Sequence, residues 1–259
     1  MLIVEQKKGA KQTAPKTEKL DFNIDNFKFD LNTGEIKQDI VLTIQNKTIL
    51  TLGAFLVLTG KPKARKTTFL HAIISTLINS VDIWTIKGHL QPDKNKVVLI
   101  DTEQSKFDLY HSLTRLSNNL NCKLSEVKNF DVYTARSGDV STIKKLIVEI
   151  CKKQPQTAVI CIDGLIDLVD DINDVKQAKQ TINFLKEIAD TYNVALISIL
   201  HQNKGTNYSL GHLGSFASRF AQSELSIEKT DDGTSILKST FLRSADDINP
   251  IEIRFNEYD

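Results

Sequence analysis

Nine consecutive residues of this chain have the types and spacing to hold a polyphosphate: Gly60, Lys61, Pro62, Lys63, Ala64, Arg65, Lys66, Thr67 and Thr68. They follow an apolar run at 55–59 and precede Phe69, Leu70, Ile73, Ile74 and Leu77, which recur at helical spacing. A strand that enters a helix through such a loop aims unpaired backbone N–H groups, at the positive end of the helix dipole, toward an anion. In that arrangement Lys66 delivers charge to the terminal phosphates and the Thr67 hydroxyl holds magnesium. The pattern is G-x-x-x-x-G-K-[ST] with one departure, Arg65 in place of the second glycine. A left-handed backbone there costs a non-glycine residue roughly 1–2 kcal/mol, against about 8 kcal/mol for micromolar nucleotide binding. Strain alone therefore weakens such a site without abolishing it. Arg65 either strains the loop or holds phosphate through its guanidinium, and the neighbouring Lys61, Lys63 and Lys66 favour the second role.

Ligands of an open parallel sheet sit at the carboxyl ends of its strands, so the residues just after each apolar run matter most. The run at 97–100 ends in Asp101-Thr102-Glu103-Gln104, the run at 158–162 in Asp163-Gly164, and the run at 194–200 in His201-Gln202-Asn203-Lys204. Asp163 fits a Walker B aspartate, which orients magnesium or its water ligands. Glu103 is the candidate base that orients and deprotonates an attacking water, with Asp101 its competitor. Gln202 is placed to hydrogen-bond a terminal phosphate and report its loss to the segment behind it. That segment, 203–215, holds three glycines and reads as a mobile loop. Lys204, Tyr208, His212 and Arg219 offer charge and stacking to a nucleic-acid strand. His71, His89 and His111 stand singly and read as packing or surface residues, so zinc is unsupported.

Elements that would position these residues are legible as short apolar runs alternating with helical patterns at about 105–120, 140–153 and 174–192. Continuously apolar strands between helices imply an α/β fold, a mostly parallel sheet covered on both faces. Upstream, 41–44 and 49–52 flank a polar turn, an N-terminal hairpin within 40–55 leading into the core. Downstream, 225–228, 236–242 and 251–255 read as antiparallel strands around an Asp231-Asp232-Gly233 turn. Residues 1–20 are lysine-rich and poor in apolar residues, a flexible basic tail. The remainder, 21–259, reads as one domain.

Composition narrows the function classes. With 41% hydrophobic and 25% charged residues the chain has material for one sizeable core, and a net charge of +1 gives no global attraction to nucleic acid or acidic membranes. Any such binding must come from a local patch. Cys122, Cys151 and Cys161 lack metal-ligand spacing and read as reduced thiols. No apolar run nears the roughly 20 residues of a membrane helix, and Met1-Leu2-Ile3-Val4 is too short for a signal-peptide core. A cytoplasmic location is expected.

Together, the phosphate loop, Val-Leu-Ile-Asp-Thr-Glu-Gln at 98–104, Ile-Asp-Gly-Leu-Ile-Asp-Leu at 162–168 and Leu-His-Gln-Asn-Lys at 200–204 resemble the RecA-like P-loop ATPase superfamily. The likeness is greatest to its hexameric replicative helicases of the plasmid RepA kind and related ATPases of phages and mobile elements. It covers about residues 40–257 and implies a RecA-like core, ATP and Mg2+, with Glu103 as the catalytic glutamate. It also implies that the segment after Gln202 faces a central channel where single-stranded DNA binds. Members complete their sites at subunit boundaries with a basic residue from a neighbour, a role for which Arg243 is favoured over Lys238 because a turn comes after it. The function so implied is a DNA-directed, helicase-like ATPase working as a homo-oligomeric ring or filament. Its rivals are a recombinase-like or regulatory ATPase that does not unwind DNA, and a nucleotide-binding scaffold that does not hydrolyse.

Overall fold

The computed structural model describes residues 24–79, 81–202 and 211–254. The tail expected over 1–20, together with Lys204 and Tyr208, lies outside the described residues. The chain divides into two units, Met1–Lys37 and Gln38–Asp259. Within the described part of the first unit, a 3-10 turn at Ile24–Phe27 is followed by a turn in which the Asp30 carboxylate accepts from the Asn32 N–H at 2.9 Å.

The second unit contains a small sheet and a large one. In the small sheet, β1 (Ile40–Ile44) and β2 (Lys47–Thr51) form the expected hairpin, and β4 (Ile86–Gly88) joins the other edge of β1. Gln45 and Asn46 both have positive φ, 53° and 61°, the conformation whose twist suits a two-residue hairpin loop.

The large sheet takes β3 (Phe55–Gly60), β5 (Lys96–Asp101), β6 (Phe130–Thr134), β7 (Thr157–Asp163), β8 (Ala195–His201), β9 (Ser223–Lys229), β10 (Ser235–Leu242) and β11 (Ile251–Ile253). Its order is β11-β10-β9-β3-β8-β7-β5-β6. Pairing is parallel from β9 through β6, while β10 and β11 add antiparallel strands at the other edge. This is the α/β arrangement expected: a mostly parallel sheet flanked by helices, with antiparallel strands near the C-terminus.

Side chains alternate across the sheet with the strand period of two. Leu56, Leu58, Leu99, Cys161 and Ile197 pack with α1 (Lys66–Asn79) and α2 (Lys106–Leu120). Phe55, Val57, Ile100, Ile162 and Leu196 pack with α3 (Val140–Lys153), α4 (Val175–Tyr192) and α5 (Gly211–Phe220). Apolar cover on both faces explains why these strands read as unbroken hydrophobic runs. Side-chain caps fix the helix starts: Ser105 accepts from the Asp108 N–H, Asp139 from Thr142, and Asp174 from Lys176 and Gln177.

One expectation is corrected. Of the mobile loop expected over 203–215, residues 203–210 lie outside the described residues, and 211–215 are helical, the start of α5. Gly211 has φ 67°, and a Cβ there would lie 2.7 Å from the Ile172 carbonyl oxygen, so glycine permits a close entry that a larger residue would obstruct. Leu213 and Ala217 then recur four apart and are fully buried, which anchors the helix despite its glycines. Two short strands, β4 and β6, are not expected from the sequence; β6 carries Asp131 and Thr134 among its apolar residues and shows no clean period.

Candidate nucleotide-binding site

The sheet register brings the expected residues to one end. Gly60 of β3 pairs with His201 of β8, and Asp101 of β5 pairs with Asp163 of β7, which itself lies beside β8. Between Gly60 and α1 the loop leaves Lys61, Pro62 and Lys63 exposed and buries Ala64, whose N–H donates to the Lys61 carbonyl at 3.2 Å. A Cβ on Gly60 would sit 2.5 Å from the Ile227 carbonyl oxygen, so β9 can approach only a glycine there.

Arg65 has φ 72°, the left-handed conformation that the sequence pattern reserves for glycine. Its Nη1 donates to the Gly233 carbonyl at 2.7 Å, in the turn between β9 and β10. A hydrogen bond from a charged donor contributes about 1.5–3 kcal/mol, enough to offset the roughly 1–2 kcal/mol of backbone strain. The guanidinium thus ties the phosphate loop to the C-terminal hairpin, a partner the sequence did not reveal.

Lys66 is buried, and its Nζ donates to the Gly60 and Lys61 carbonyls, each at 3.0 Å, with His201 Nδ1 at 3.1 Å. Burial lowers its pKa to about 8, against the opposing pull of Glu103 and Asp163. The Thr67 hydroxyl donates to Asp163 Oδ2 at 3.0 Å. Burial, with the nearby charges of Asp101 and Glu103, raises the Asp163 pKa to about 7. A buried ammonium and a hydroxyl–carboxylate pair left in like-charge company suit a ligand that brings both anionic phosphates and a divalent cation. Among the described residues, no group of three or more His, Cys, Asp or Glu side chains forms a protein-only metal cage. Magnesium held by Thr67, with Asp163 behind it, would draw its other ligands from phosphate and water.

The two candidate bases differ sharply. Asp101 is fully buried, and Gln104 donates to both its oxygens, backbone N–H to Oδ1 at 2.8 Å and Nε2 to Oδ2 at 2.5 Å. Burial pushes its pKa up. Glu103 is one-third exposed, with Oε1 3.5 Å from His201 Nε2. Its pKa is lowered, first by the hydrogen bond from His201, so it stays ionised and able to accept a proton. Beneath it, Thr102 Oγ1 donates to the Asp163 carbonyl at 2.8 Å and lies 2.5 Å from Asp167 Oδ2. Gly164, at φ 112°, makes room: a Cβ would come within 2.2 Å of Thr102 Oγ1. Gln202 is buried, with its N–H donating to the Gly60 carbonyl at 3.1 Å and its Nε2 to Thr59 Oγ1 at 3.2 Å.

Lys66, Thr67, Glu103, Asp163 and Gln202 are therefore gathered with the loop, whereas Arg243 is not. Its Nε donates to the Ala221 carbonyl at 2.7 Å and its Nη2 to the Arg219 carbonyl, capping the end of α5. Lys238 forms an ion pair with Glu228 at 2.8 Å. His212 and Arg219 are exposed on α5. His71 is buried with its pKa lowered to about 4, chiefly by burial; His89 bonds Thr43 at 2.8 Å, and His111 stacks edge-on against Phe107. Three residues of the cluster, His201, Thr102 and Asp167, carry no role in the sequence pattern. Only the position of His201 at the end of an apolar strand signals it.

A phosphate-loop strand and helix, a threonine–aspartate pair between the helix start and a neighbouring strand end, and a mostly parallel sheet define the class of P-loop nucleotide-binding proteins. Within it, the sequence profile described as AAA domain matches residues 43–207, more than half of the chain, and the chain belongs to that family. The family membership makes this an ATPase domain, of a kind that generally binds ATP with Mg2+. Comparison with curated proteins finds no match. No helix among the described residues is long and apolar enough to cross a membrane.

Proposed function

We propose that the chain hydrolyses ATP and couples hydrolysis to work on DNA, as a helicase-like motor in the replication or maintenance of a plasmid, phage or mobile element. The observation that carries the hydrolytic part is an ionised, part-exposed Glu103 set beside the Lys66 and Thr67–Asp163 groups at one end of the sheet. Bound MgATP supplies the phosphoanhydride bond and a metal-polarised terminal phosphoryl group. With MgATP bound, Lys66 would place its charge on the phosphates, Thr67 and Asp163 would hold the metal and its waters, and Glu103 would take the proton of the water that adds to the terminal phosphorus as ADP leaves. Gln202 links the site to the next segment of the chain, and Lys204, Tyr208, His212 and Arg219, all C-terminal to it, are the proposed contacts to single-stranded DNA.

The resemblance to ring-forming ATPases supports a homo-oligomer, with Arg243 offered to the neighbouring site in exchange for its carbonyl partners on α5. A cytoplasmic location goes with that role. One observation favours the non-hydrolysing scaffold as second reading: the non-glycine Arg65 is held left-handed and tied to Gly233. ATP turnover measured with and without single-stranded DNA separates the two. Turnover that rises with DNA is the expected result, and ATP binding without turnover supports the scaffold. A strand-displacement assay then distinguishes a helicase from an ATPase that binds DNA without unwinding it.

A further inference from the structure

An ammonium group has three N–H donors and no acceptor, and the three donors of Lys66 match three partners at 3.0, 3.0 and 3.1 Å. Two of those partners, the Gly60 and Lys61 carbonyls, belong to the phosphate loop itself. The third, His201 Nδ1, is the one side chain in the set. Because Lys66 can only donate, Nδ1 must accept, which places the ring proton on Nε2, the nitrogen facing Glu103 Oε1 at 3.5 Å. The backbone fixes the ring's origin: His201 pairs with Gly60 in the sheet, and the next residue donates its N–H to the Gly60 carbonyl.

We propose that His201 is the positioning residue for Glu103, acting as the middle of a Lys66–His201–Glu103 bridge. The proposal rests on the ATPase reading above. In the resting site the bridge occupies the last donor of Lys66 and orients the carboxylate through Nε2–H. A phosphate that engages Lys66 takes the place of Nδ1, because the loop carbonyls are the partners Lys66 keeps as part of the cradle. His201 then holds Glu103 alone. Phosphate and imidazole thus compete for one donor, while the carboxylate keeps its own.

Two consequences separate this role from simple packing. Removing the imidazole frees a donor on Lys66, so ATP binding is unchanged or tighter, while Glu103 loses its orientation and turnover falls. The test compares wild type with His201→Ala and His201→Gln, measuring Kd for ATP, kcat and Tm. For His201→Ala the expected result is a kcat lower by about 10- to 100-fold, a part of the roughly 100- to 10,000-fold that a general base contributes, since Glu103 itself remains. Kd should stay within about threefold of wild type or tighten, and Tm should hold. His201→Gln, whose amide can still donate to Glu103, should recover part of kcat. An unchanged kcat in His201→Ala overturns the proposal, as does a parallel loss of binding, turnover and Tm.

A second measurement needs neither turnover nor a variant of His201 that folds. In protein labelled with 15N at histidine, the His201 ring should be the Nε2–H tautomer, and both Lys66→Ala and addition of a non-hydrolysable ATP analogue with Mg2+ should shift its Nδ1 signal. Ring signals that stay fixed in Lys66→Ala protein overturn the bridge. Wild-type protein without ATP turnover sinks the ATPase reading instead, and the Lys66→Ala arm still decides the bridge because it requires no nucleotide.

Discussion

Two regions of the molecule hold charge in opposite ways, one buried and one exposed. At the phosphate-loop end, Glu103 and Asp163 act on the buried Lys66, and Asp101, Asp163 and Asp167 each have a pKa raised first by burial and then by a neighbouring carboxylate. At the corner between α5 and β10, the exposed Arg243 donates to the carbonyls at a helix end and keeps its charge in contact with water. The first arrangement is costly unless a ligand completes it, and the second is complete as it stands. Charges held in unfavourable company are the candidates for function, more than charges marked by position alone.

The largest expected effect comes from the crowded end. Lys66→Ala should cut ATP turnover by about 100- to 1,000-fold, the scale of losing one electrostatic stabiliser, and shift Tm by less than about 4 °C, the shift of about 1 kcal/mol in a domain of this size. A collapse in Tm would show that the lysine stabilises the fold itself. Glu103→Gln should retain ATP binding and lose about 100-fold or more in turnover. Asp101→Asn should act on stability, since it replaces an oxygen that accepts from Gln104 by a donor. Reversed effects for the two carboxylates would exchange their roles.

Stability against pH sharpens the contrast further. Because the folded Asp163 pKa, about 7, lies above the ordinary value of 3.8, the folded chain holds this proton more tightly than the unfolded one. Its contribution to stability should fall as pH rises from about 4 to about 7 and stay flat above that. His71 has the opposite sign: its folded pKa of about 4 lies below 6.5, so its contribution is present above pH 6.5 and lost as pH falls toward 4. Denaturation of Asp163→Asn and His71→Leu across this range should each remove one slope. A wild-type slope that survives in both variants would contradict these assignments.

Smaller effects belong to the satisfied corner and to the loop tie. Arg243→Ala should lower Tm by about 2–4 °C through loss of the α5 cap, worth about 1 kcal/mol. Mixing it with Glu103→Gln protein should restore some turnover if neighbouring subunits share a site, and an unchanged sum of the two activities would confine Arg243 to the cap. Arg65→Gly exchanges relief of strain for loss of the Gly233 bond, so Tm should move little and Kd for ATP should stay within about threefold. A tenfold weaker Kd would instead assign the guanidinium to phosphate.

Much of this was legible in the sequence because strands covered on both faces leave unbroken apolar runs, and the residue after each run falls at the sheet end where ligands gather. Glu103, Asp163 and Gln202 were readable that way, and Lys66 and Thr67 from the phosphate-loop pattern. The features that escaped depend on contacts between distant segments. The sequence favours Glu103 over Asp101, but the reason, Gln104 claiming both oxygens of Asp101, is not legible there. The tie from Arg65 to Gly233 spans most of the domain, and α5 is helical because its buried Leu213 and Ala217 outweigh glycines that suggest a loop.

The most direct test of the central claim is steady-state ATP hydrolysis by the purified chain with Mg2+, beside Lys66→Ala and Glu103→Gln proteins prepared in the same way. The expected result is turnover in wild type, neither tight binding nor turnover in Lys66→Ala, and binding without turnover in Glu103→Gln. Equal turnover in all three, or ATP bound by none, would contradict the assignment of this strand-end cluster as an ATP-hydrolysing site.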